Sequence, residues 1–176
     1  YPGFMSQKHK LLFIGRESLC MTGLDLIEVI YGAYHEKKVG GQALNRCRFH
    51  AMQMYITYAL EHGVHDYSRI PYADKIADTF GMPGGISNAF MNISKFSNDN
   101  WWDNKNSRKG WVADWKLIDE FVCGSRGEPN LFNREIEIIA PDAIVTMNLG
   151  GYLKELGPLE RFRDEGDSNV SVYELK

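Results

Sequence analysis

Two short segments constrain this chain more than anything else in it: Asn88-Ala-Phe-Met-Asn-Ile-Ser-Lys95 and Ile136-Glu-Ile-Ile-Ala-Pro-Asp-Ala-Ile-Val-Thr-Met-Asn-Leu149. Each contains a short, continuous apolar run, the pattern of a strand buried on both faces of a parallel sheet. In the second, a helical stretch stops at Pro141, which cannot continue a helix and biases Ala140 away from it. Polar residues follow both runs at their C-terminal ends. A third run, Leu11-Leu-Phe-Ile14, leads likewise into Gly15-Arg-Glu-Ser18. Ligands of open α/β sheets bind beyond the carboxyl ends of the strands, so Asn92, Ser94 and Lys95 become site candidates, with Arg16 and Glu17 delivered to the same edge.

The rest of the chain supplies helices between these strands. A helical pattern surrounds Leu24–Ile30, and Gly40-Gly41 punctuates the chain after it. Leu44, Cys47, Ala51, Met52, Tyr55 and Ala59 recur at helical spacing and predict an apolar face, with the helix ending near Gly63. Asn45, Arg46, Arg48 and Gln53 are assigned to its solvated side. Pro71 opens a predicted helix from Tyr72 to Phe80, closed by Gly81-Met-Pro-Gly-Gly85. The strand over Ala89–Ser94 is followed by a polar, Asn-rich and basic stretch, residues 98–110, that contains Trp101 and Trp102. Further helices are expected over Trp111–Val122, Glu135–Ala140 and Tyr152–Leu156, with Ala143–Met147 as a strand. Val170–Leu175 has strand-like alternation and is expected as the last parallel strand. The order of elements predicts an α/β fold: a three-layer α/β/α sandwich around a mainly parallel sheet of about four strands.

The 176 residues suit a single domain, 1–176, with a sizeable hydrophobic core. No apolar run approaches the roughly 20 residues that a membrane helix needs. Cys20, Cys47 and Cys123 are widely spaced and form no CxxC pair, which argues against zinc or an iron–sulfur cluster and for reduced thiols in a cytoplasmic protein. A net charge of −3 neither demands nor excludes nucleic acid. Lys105-Asn-Ser-Arg-Lys109 is the basic patch best suited to phosphates, through Lys105, Arg108 and Lys109.

Taken in order, three segments resemble motifs of the uracil-DNA glycosylase superfamily. Phe13-Ile-Gly-Arg-Glu-Ser18 is similar to the family's first motif, with Glu17 where an acidic or amide residue handles the attacking water. Phe90-Met-Asn-Ile-Ser-Lys95 is similar to the strand whose Asn reads the flipped base. Asn133-Arg134 with Ile136 to Gly150 resembles the later helix, Pro turn and Ile-Val-Thr strand. Three features depart from the pattern. Ser18 stands where a Pro is usual, the cysteines do not reproduce the cluster ligands of some branches, and no His-containing loop follows the last strand. His9, His35, His50, His62 and His65 all lie in the first half. Either the sequence stops short of that loop or this member works without it.

The resemblance implies a monofunctional DNA glycosylase acting on uracil or another altered base, as a monomer, with no metal or cofactor and DNA as partner. Such enzymes flip the target nucleotide into a fitted pocket. Glu17 would orient water and stabilise the cationic sugar, as carboxylates do in glycoside hydrolysis. Asn92 would read the base, since its amide offers both donors and an acceptor. Tyr31, or Tyr34, would stack on it. Arg16, Ser94 and Lys95 would contact DNA, and Lys95 or Arg16 could meet charge on the leaving base. Two other readings stay open: a non-catalytic nucleic-acid-binding protein on the same fold, and an α/β enzyme on a free nucleotide. Neither a GxGxxG nor a GxxxxGK[ST] loop supports the last.

Overall fold

The computed structural model describes residues 1–16, 23–95, 120, 122, 130–147, 149 and 156, with the backbone alone for 159–164 and 171–175. Glu17, Ser18, Lys105, Arg108, Lys109, the four tryptophans and most of the helices expected over 111–122 and 152–156 lie outside them.

The centre is a parallel sheet of strands β1 (Leu11–Gly15), β4 (Ala89–Asn92) and β5 (Ala143–Thr146), in the order β4-β1-β5. Leu11, Leu12, Phe13 and Ile14 are all fully buried, as a strand flanked on both edges and covered on both faces requires. Each such side chain contributes roughly 2–3 kcal/mol relative to exposure. Alternation along the strands divides the core in two. Leu12, Ile14, Ala89, Met91 and Ile93 pack with Phe132, Ile136 and Ile139 of α4 (Leu131–Ile139). On the other face Leu11, Phe13 and Phe90 meet Leu26 of α1 (Leu26–His35), together with Phe49 and Ile56 of α2 (Arg48–His62). The α/β class and the layers match the expectation from sequence.

Local sequence accounts for where the helices start and stop. Asp25 caps α1 by accepting from the N–H groups of Ile27 at 2.9 Å and Glu28 at 3.0 Å. Gly63, at φ 63°, ends α2 in the left-handed conformation that glycine adopts without penalty. Asn130 caps α4, so Asn133 and Arg134 lie inside its first turns rather than ahead of it. The helix expected over Tyr72–Phe80 is only the short α3 (Ala73–Ile76), continued by turns.

Two further expectations need correcting, and one gains detail. The segment expected as a fourth parallel strand, β7 (Ser171–Leu175), pairs antiparallel with β6 (Leu159–Asp164) in a separate two-stranded sheet. Gly40-Gly41 is the turn of a small hairpin between β2 (Lys38–Val39) and β3 (Gln42–Ala43), with φ of 57° and 77°. Two central residues at positive φ are what a tight hairpin turn demands.

The second correction concerns α2. Met52 is exposed, whereas Gln53, placed on the solvated side from sequence, is fully buried beside Met54 and Thr57. Gln53 belongs to a polar network beneath the helix. The Tyr34 hydroxyl lies 2.9 Å from His50 Nδ1 and donates to Gln53 Oε1 at 3.5 Å. The Thr57 hydroxyl donates to the Gln53 carbonyl at 2.7 Å and accepts from Asn88 Nδ2 at 3.1 Å. The network is only partly satisfied, since the buried Gln53 Nε2 and Asn88 Oδ1 find no partner among the described residues, and it turns the helix to a face that apolar periodicity does not mark.

Candidate functional site

Because the three strands run parallel, their carboxyl ends share one edge of the sheet. Gly15 stands opposite Asn92, and Ile14 opposite Thr146. Pairing continues past the strands: Ile93 N–H donates to the Gly15 carbonyl at 3.0 Å and Ser94 N–H to the Arg16 carbonyl at 2.9 Å. Arg16, Asn92, Ser94 and Lys95 are thereby brought to one place.

Asn92 follows Phe90 in the alternation and faces the α2 side of the sheet, where Gly15 leaves it space. A Cβ on Gly15 would fall 2.6 Å from Asn92 Oδ1, 3.2 Å from the Phe49 ring and 3.3 Å from the Phe90 ring. Asn92 therefore occupies a notch whose floor is bare backbone and whose neighbours are two aromatic rings, themselves edge-to-face at 5.5 Å. At 6% exposure its amide is held almost entirely within the protein. An amide at this place carries both donors and an acceptor, the groups needed to read the edge of a planar ligand.

Lys95 anchors the loop beyond Asn92. Its ammonium donates to the Asn92 carbonyl at 2.9 Å and pairs with the carboxylate of Glu135 on α4. The strand end is thus tied to the helix layer on the opposite face. Ser94 is buried at the same edge.

Tyr31, a stacking candidate from sequence, lies elsewhere. Its ring stacks on Tyr1 at 6.2 Å and meets His35 edge-on at 4.6 Å, within the cluster that includes Phe80. Tyr34 is fully buried in the polar network. Of the two rings beside Asn92, Phe90 and Phe49, the second is one that sequence reasoning passed over. It sits in the first turn of α2, one position before His50, and only the three-dimensional closeness of α2 to Gly15 marks it. Behind it, burial lowers the pKa of His50 to about 4, so the imidazole is neutral near pH 7.

Glu17, Lys105, Arg108 and Lys109, expected to act here, lie outside the described residues. Among the described residues no group of three His, Cys, Asp or Glu side chains could hold a metal ion, and no helix is long and apolar enough to cross a membrane. Cys47 is a free thiol, its Sγ 3.3 Å from Gln42 Oε1.

Fold and site together define an α/β protein whose polar strand ends, Asn92 among them, share the carboxyl edge of a parallel sheet, the edge at which such folds bind ligands. Comparisons with protein-family models, with curated proteins and with solved structures found no match.

Proposed function

We propose that the protein is a DNA glycosylase of the uracil-DNA glycosylase type, hydrolysing the bond between sugar and base at an altered nucleotide. One observation carries the reading: a buried Asn92 amide, fixed against the bare backbone of Gly15 and beside the Phe49 ring, at the strand edge. A flipped base needs both an edge reader and an aromatic surface. Asn92 serves as the first and Phe49 as the second.

The reaction breaks the C1′–N bond, and the base departs with the bonding electrons. Water adds to C1′ and loses a proton to Glu17, which follows Arg16 directly in the sequence. Its carboxylate also offsets the positive charge that builds on the sugar. Lys95, already oriented by Glu135, or Arg16 would meet the charge on the leaving base. No metal or cofactor takes part, and the enzyme works as a cytoplasmic monomer that associates with DNA.

The test is excision from labelled oligonucleotides carrying uracil, hypoxanthine or modified cytosines, followed by alkali to cut abasic sites. Wild type is expected to cut at one of these bases, with cleavage lost in Glu17→Gln and in Asn92→Ala. Folded wild-type protein that binds DNA but releases no base from any substrate would leave a binding protein and end the enzymatic reading.

A further inference from the structure

A second concave surface lies along α2, on the stripe of Arg48, Met52 and Tyr55 that adjoins the one bearing Phe49 and Ile56. It is a groove of about 460 Å³, open to solvent on one side, and its lining includes Asn45, Arg48, Met52, Tyr55, Tyr67 and Tyr72. Tyr67 and Tyr72 are 67% and 73% exposed, unusually high for rings of this size, and Met52 adds a further exposed apolar side chain.

The groove is built rather than incidental. Tyr55 meets Tyr67 edge-to-face at 5.8 Å and accepts from Ala73 N–H at 3.4 Å. Asn45 Oδ1 accepts from Asp74 N–H at 3.0 Å, pinning the start of α3 to the start of α2. Asp66 accepts from Ser68 N–H and from its hydroxyl, which holds the turn bearing Tyr67. The donors offered to a ligand are the Asn45 amide N–H, the tyrosine hydroxyls and the Arg48 guanidinium, with the carboxylates of Asp66 and Asp74 standing nearby. Arg48 has no ion-pair partner among the described residues.

We propose that this groove binds single-stranded DNA, two successive bases stacking on Tyr67 and Tyr72 while Arg48 neutralises the phosphate between them. Exposed rings beside an unpaired cation are complementary to a chain that alternates planar bases with anions, and such sites bind single strands with little sequence preference. An open groove suits a strand passing through better than one enclosed small molecule. The choice of DNA over RNA rests on the function proposed above.

The probe is a labelled thymidine oligonucleotide about twelve nucleotides long, titrated by fluorescence anisotropy against the full chain. The Tyr67→Ala, Tyr72→Ala double variant is expected to bind at least about tenfold more weakly, whereas the corresponding pair of Phe substitutions retains affinity. Arg48→Gln is expected to lower the slope of log K against log salt concentration by about 0.7. Both tyrosines are exposed, so the variants fold, and far-UV circular dichroism checks that they do. Failure of wild type to bind, unchanged affinity in the double Ala variant, or a preference for the same sequence as RNA would each overturn the proposal. Asn92→Ala separates the two readings: it abolishes excision yet leaves groove binding intact, so either can fail without the other.

Discussion

Replacing His50 with phenylalanine would expose how the polar network beneath α2 couples stability to pH. Burial lowers the His50 pKa from 6.5 to about 4 in the folded protein, while the unfolded chain keeps the ordinary value. Between those two values the unfolded state binds more protons, so stability falls as the pH falls. The contribution is present in full above the unfolded pKa of 6.5, declines below it, and is lost entirely below about 4. Going from about pH 8 to about pH 5 should cost roughly 2 kcal/mol through this residue alone. The phenyl ring of the variant would fill the space beside Tyr34 and Phe49 but cannot partner the Tyr34 hydroxyl, at a cost of about 1 kcal/mol at all pH values. His50→Phe should thus be the less stable protein near pH 8 and lose less on acidification. Urea unfolding of both proteins at the two pH values measures this, since other titrating groups cancel in the difference. Equal losses in the two proteins would refute the argument that His50 is held neutral by burial.

Two more substitutions test the strand edge and its supporting helix. Gly15→Ala places a methyl group 2.6 Å from Asn92 Oδ1 and between two rings. It is expected to cost about 1–3 kcal/mol and, through displacement of Asn92, to slow the proposed excision by about a hundredfold; a variant as stable as wild type would contradict the close packing at Gly15. Ala140 ends α4 at φ 47°, a conformation unfavourable for a residue with a Cβ. Ala140→Gly should therefore raise stability by about 0.5–1 kcal/mol in thermal melts, and a drop in melting temperature would count against the left-handed cap.

What the sequence disclosed and what it hid have separate physical causes. The strands β1, β4 and β5 are continuous apolar runs because both of their faces are covered, and that signature is local. Their polar ends marked Asn92, Ser94, Lys95 and Arg16 for the same reason. The inward face of α2 was misread because it carries Gln53 and Thr57, Tyr34 donating to Gln53 Oε1 and Thr57 linking the Gln53 main-chain carbonyl to Asn88 Nδ2, so the buried stripe is not an apolar stripe. Phe49 escaped notice because its significance depends on a partner distant in sequence, Gly15. The alternation in Ser171–Leu175 correctly announced a strand but could not announce its neighbour, which proved to be the adjacent β6 rather than the central sheet.

The order of the central sheet also has a bearing on how the protein is made. β1 is the earliest of its three strands to be synthesised, yet it occupies the middle, and its two partners follow roughly 80 and roughly 130 residues later. Leu11 to Ile14, all fully buried in the finished fold, must wait on the ribosome with both edges open until β4 has emerged, and with one edge open until β5 follows. Folding is therefore expected to be slow and set by chain closure rather than by helix formation, and expression yield should respond to chaperone supply more than to the stability of the finished fold.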